Sequence, residues 1–119
     1  MTIEISNSGK RVSWRDGVNE VSKDYDSTVM GYEVLPDAAG VLILEPYEIV
    51  GKNNAVIYSL DGSEYWRLPY TGKTGQGICF DRSGLRNGEL TVFTVVSNRD
   101  VGVKVDWRHK EYSDVFSAR

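Results

Sequence analysis

The sequence predicts a single all-β domain in which antiparallel strands follow one another as a meander and form a sandwich or a barrel, with at most one short helix. Three observations carry this expectation. Glycine-containing turn signals recur every eight to fifteen residues along the chain. The runs between them are short and rich in β-branched and aromatic residues. Near the C-terminus Val101, Val103, Val105 and Trp107 share one parity while Gly102, Lys104, Asp106 and Arg108 share the other, the alternation of a strand with one dry face. A chain of 119 residues, 40% hydrophobic and 26% charged, has the make-up of one folded domain over 1–119, and disorder, collagen and coiled coil are disfavoured.

The turns set the elements in order. Asn7-Ser8-Gly9 separates strand runs at 2–6 and 11–15, and Asp16-Gly17 ends the second. In 18–32, Val18, Val21, Tyr25 and Val29 recur at helical intervals, but Gly17, Ser27, Thr28, Val29 and Gly31 are poor helix formers, so loop or strand is expected. Val41-Leu42-Ile43-Leu44 is apolar at both parities, as in a strand covered on both sides. Strand runs at 47–50, 55–60 and 64–68 follow, the last two joined across Asp61-Gly62. A three-residue loop with Gly62 left-handed shifts that hairpin's register by one and gathers Val56, Tyr58, Trp66 and Leu68 on one face. The stretch 71–77 reads as a flexible connection. Strands are then expected at 77–81, 89–97, 101–108 and 111–117, and 89–97 again has apolar residues at both parities, which calls for a second layer. Trp-Arg occurs at Trp14-Arg15, Trp66-Arg67 and Trp107-Arg108; neighbours on a strand face opposite ways, which places each Trp in the core and each Arg in water.

Charge narrows the partners. Fourteen Lys and Arg against seventeen Asp and Glu give a net charge of -3, the wrong sign for a surface that neutralises phosphates, so nucleic-acid binding is not expected. The acidic residues gather at 20–26 and 33–48, an arrangement suited to a basic protein partner. No apolar run approaches the roughly 20 residues that cross a bilayer, and the first residues lack the basic-then-apolar layout of a secretory signal. A soluble cytoplasmic protein without membrane association is expected. The single cysteine, Cys79, excludes an intrachain disulfide.

Catalytic and ligand patterns fail on inspection. Cys79 sits between Ile78 and Phe80 as a small buried residue would, and His109 lies between Arg108 and Lys110 in an exposed turn. Asp106, His109, Glu111 and Asp114 lack the spacing of zinc or calcium sites and are interrupted by basic residues, so no metal is expected. Gly72-Lys73-Thr74 lacks the upstream glycine and following helix of a phosphate-binding loop. No enzyme, cofactor or catalytic residue is expected. The residues expected to anchor a protein contact are Tyr25, Tyr32, Tyr65 and Arg67, because exposed aromatics and arginine dominate such contacts.

Two resemblances accompany this reading. Val41-Leu42-Ile43-Leu44-Glu45-Pro46, the turn Asn53-Asn54, the strand Ala55-Val56-Ile57-Tyr58, Asp61-Gly62 and Trp66-Arg67-Leu68, with Asn87-Gly88-Glu89-Leu90 and the closing Asp114-Val115-Phe116, resemble a group of small, largely uncharacterised bacterial β-meander proteins over 41–116. By analogy with small acidic β-rich immunity proteins, that likeness implies a non-enzymatic module that binds and blocks a toxin. The segment 11–15 is similar to the double-arginine motif of cyclic-dinucleotide-binding PilZ barrels, yet Asp81-Arg82-Ser83-Gly84-Leu85-Arg86 has Arg where the partner motif ends in Gly. It leaves as alternatives a small-ligand-binding barrel and a protein with no toxin partner.

Overall fold

The computed structural model describes residues 4–7, 9–17, 19–70, 79–96 and 98–118. Eleven strands among them form three antiparallel sheets, and each sheet is written by a consecutive stretch of chain. The first holds β1 (Glu4–Asn7), β2 (Arg11–Asp16) and β3 (Asn19–Asp24). The middle sheet holds β4 (Gly31–Val34), β5 (Val41–Leu44), β6 (Ala55–Tyr58) and β7 (Glu64–Arg67). The last holds β8 (Arg82–Arg86), β9 (Glu89–Val96), β10 (Arg99–Asp106) and β11 (Glu111–Ala118). In every sheet the spatial order is the chain order, which makes three successive meanders.

Alternation of side chains explains how the sheets stack. Along β5 and β6, Val41, Ile43, Val56 and Tyr58 join Val12 and Trp14 of the first sheet in one buried cluster. The opposite parity, Leu42, Leu44, Ala55 and Ile57, joins Leu90, Val92, Val103, Val105 and Trp107 in the other. The middle sheet is therefore the filling of a three-layer sandwich, and the architecture is not a closed barrel. Each fully buried Leu, Ile or Val contributes about 1.5–3 kcal/mol, so this sheet carries much of the hydrophobic stabilisation. Among the described residues no helix is long and apolar enough to cross a membrane.

Several expectations are corrected. Residues Tyr47–Val50, read as strand, form one helical turn, α1, between Pro46 and Gly51. Of the strand expected at 77–81, Gly77 and Ile78 lie outside the described residues, as does the connection 71–77, and residues 79–81 are irregular; β8 begins at Arg82 instead. The loop or strand expected over 18–32 agrees with the fold: its described residues supply β3 and the start of β4. Strand β9 is covered by the middle sheet on one face only: Phe93 on its other face lies under the Arg82 guanidinium, 5.2 Å from the ring centre, and Val95 is exposed.

The Asp61-Gly62 hairpin combines a correct turn with an unexpected face. Ser59 and Ser63 flank a three-residue loop, the Ser59 N–H donating to the Ser63 carbonyl at 2.8 Å, and Gly62 has φ 93°. The register then shifts between Ile57 and Tyr58, because Tyr65 is inserted as a second bulge. Trp66 thus pairs with Ile57 and not with the face of Val56 and Tyr58, and Trp66 and Leu68 join the cluster facing the last sheet. Of the Trp-Arg pairs, Trp14 and Trp107 are buried beside exposed Arg15 and Arg108, whereas Trp66 and Arg67 are both half-buried.

Candidate functional site

Where β5 ends, the chain keeps Glu45 and Pro46 inside before α1 turns outward. Glu45 is 3% exposed, and a carboxylate at such a position must be paired and hydrogen-bonded. Its Oε2 accepts from the hydroxyls of Tyr25 at 2.6 Å and Tyr58 at 2.8 Å, and its Oε1 accepts from Arg67 Nη1 at 2.7 Å. Arg67 also donates to the Asn53 carbonyl at 3.0 Å and to Glu64 at 3.2 Å. Burial, followed by the hydrogen bond to the Glu45 carboxylate, raises both tyrosines above the ordinary phenol range, Tyr58 to about 12. These hydroxyls stay protonated and the carboxylate has its oxygens occupied. The cluster ties the end of the first sheet to the middle sheet and leaves no free base for chemistry.

Asn54 completes the frame beneath it. Fully buried, it receives the Phe80 N–H at 2.9 Å and donates to the Phe80 carbonyl at 2.8 Å and the Glu45 carbonyl at 3.1 Å. A side-chain amide thus replaces a strand neighbour and fixes 79–81 against the middle sheet.

The four expected contact residues divide. Tyr25 and Arg67 converge on Glu45, half-buried and facing inward. Tyr65 donates its hydroxyl to the Trp107 carbonyl at 3.0 Å and lies under Lys110 Nζ, 4.5 Å from the ring centre. Tyr32, on β4 opposite Ile43, keeps an exposed ring.

Outside the hub lies a surface of which sequence reasoning named Tyr32 alone. Met30, Tyr32, Tyr47, Ile49 and Val50 account for five of the eight exposed large hydrophobic side chains among the described residues. Two contacts bring their segments together: the Met30 N–H donates to the Leu44 carbonyl at 2.8 Å, and the Ser27 hydroxyl donates to the Glu48 carboxylate. That bond holds the Glu48 carboxyl below its usual range, so the rim is anionic, with exposed Asp26 nearby on the chain. The available signal was the bracket of Pro46 and Gly51 around four residues, the stop signs of a short helical turn.

Cys79 and His109 do not meet. The Cys79 carbonyl accepts from Thr94, which pairs with Val101 near one end of β10, while His109 lies beyond Asp106 at the other. The five strand steps between Val101 and Asp106 span about 17 Å. Burial, then the charges of Asp81 and Glu48, push the Cys79 thiol upward, away from the thiolate. No protein-family model, no curated protein and no solved structure matches the chain.

Proposed function

We propose that the protein is a non-enzymatic binding module for a basic protein, in the manner of an immunity or inhibitor protein, and that it docks through α1 and the 26–32 segment. The observation that carries this reading is the concentration of Met30, Tyr32, Tyr47, Ile49 and Val50 on two tethered segments bordered by Asp26 and Glu48. Exposed aromatic and methionine side chains supply the buried centre of a contact, and the acidic border steers a cationic partner and excludes anionic ones. Tyr32 is the expected anchor that belongs to this surface; Tyr25 and Arg67 act by holding the scaffold under it. The ligand-binding alternative needs an enclosed apolar pocket; one groove among the described residues, of about 520 Å³ between Trp66 and β11, is open to solvent.

The test is co-purification with the product of each reading frame adjacent to the gene, followed by calorimetry at low and high salt. A complex with a basic product that weakens as salt rises and is lost in Ile49→Asp agrees with the proposal. Absence of any such complex, or one indifferent to Ile49→Asp, overturns it.

A further inference from the structure

We propose that the β10–β11 turn is a zinc-binding site built from Asp106, His109 and Glu111. The sequence argues against a metal here because basic residues interrupt the acids. In the fold both basic side chains have aromatic partners. Arg108 lays its guanidinium over the Trp107 ring, 4.6 Å from the centre, and Lys110 lays its ammonium over the Tyr65 ring at 4.5 Å. The two cations are drawn onto aromatic faces, and the imidazole and two carboxylates are left together, with ligand atoms within 4.8 Å of one another. Asp114, the fourth residue of the sequence cluster, is outside the group.

The donor set matches the ion. One imidazole nitrogen and two carboxylate oxygens suit a borderline divalent cation, and a three-ligand zinc site leaves a fourth position for water. The scaffold is preformed: the turn closes the hairpin of two eight-residue strands, and the His109 N–H donates to Asp106 Oδ1 at 3.3 Å. The His109 Nδ1 and Asp106 Oδ2 are 2.8 Å apart, a direct contact that ligation of both to one ion would replace. Tetrahedral ligands at about 2.1 Å from zinc stand roughly 3.4 Å apart, so the pair opens slightly and the exposed Glu111 side chain swings in. The His109 side chain is 73% exposed, so the ion enters directly from solvent.

The experiment is titration of the full chain with zinc chloride alone, followed by calorimetry and by amide NMR. The expected result is saturable one-to-one binding with shifts centred on residues 106–111. His109→Ala and Glu111→Gln each weaken binding at least tenfold, while Asp114→Asn leaves it unchanged. Both residues are exposed, so unaltered amide spectra of the metal-free variants separate lost ligation from lost folding. No saturable uptake, equal binding by His109→Ala, or shifts centred on Cys79 would overturn the proposal. The outcome is independent of the binding surface at α1.

Discussion

Arg67 closes the Glu45 hub from its solvent side, with Nη1 2.7 Å from Oε1 while the two tyrosine hydroxyls hold Oε2. Removing one partner of a buried ion pair leaves the other charge unpaired, which costs more than removing both. Arg67→Ala is expected to lower the unfolding free energy by about 3 kcal/mol, the low end for such pairs, because the Arg67 side chain is 31% exposed. Adding Glu45→Gln restores part of the loss. Urea denaturation of the two single variants and the double variant at neutral pH measures the coupling.

The same hub predicts a loss of stability in alkali. Tyr58 is raised to about 12 in the folded protein and Tyr25 is raised in the same direction. The unfolded phenol releases its proton near pH 10, the folded one later, so the unfolded state binds fewer protons in that window. The contribution is complete below pH 10 and is lost as pH rises toward 12. Urea midpoints from pH 8 to 12 fall for the wild type, and Tyr25→Phe with Tyr58→Phe flattens the difference attributable to the hub.

Two glycines are expected to resist substitution for different reasons. Gly62 has φ 93°, and a Cβ there would stand 2.9 Å from Val21 Cγ1. Gly62→Ala should cost about 1–2 kcal/mol from the backbone, with a further part relieved by Val21→Ala. At Gly40 a Cβ would stand 2.6 Å from the Tyr58 carbonyl oxygen, which no rotamer can move. Gly40→Ala should therefore be the more damaging of the two, with no rescue from a side-chain truncation. Thermal melts of Gly62→Ala, of Gly62→Ala with Val21→Ala, and of Gly40→Ala check the order.

Asn54→Ala removes the amide that satisfies both backbone groups of Phe80. Buried groups left unpaired cost about 1–3 kcal/mol each, and the loss should appear locally first. Amide exchange at Phe80 accelerates, and the neighbouring half-buried Cys79 reacts faster with a thiol reagent than in the wild type. Equal Cys79 labelling rates in the two proteins would contradict the pinning role.

Ile49→Asp tests the docking surface without disturbing the fold. Ile49 is 48% exposed on α1, where substitutions ordinarily change stability by less than about 0.5 kcal/mol, so its melting curve should overlay the wild type.

The layering was legible because it follows from side-chain parity. Val41 to Leu44 read as covered on both faces and are, and Val103 and Val105 on the dry side of β10 share a cluster with Trp107 just past its end. What escaped was short or non-local. Four residues cannot display a 3.6-residue period, so Tyr47-Glu48-Ile49-Val50 reads as strand by composition alone. The single inserted residue Tyr65 leaves no mark in composition, yet it moves Trp66 to the other face. Glu45 looks like the polar end of an apolar run; its burial depends on Tyr25, Tyr58 and Arg67, from three other segments. Tyr25 and Arg67 read as contact anchors, and the fold turns their polar ends inward to Glu45.

Because the three meanders occupy successive stretches of chain, the ribosome delivers them one at a time. The first two can dock through Trp14, Ile43 and Tyr58 while the third is still being translated. Leu42, Leu44 and Ile57 then face solvent or a chaperone until β9 and β10 emerge, so any pause in decoding after residue 70 prolongs the most adhesive stage of the nascent protein.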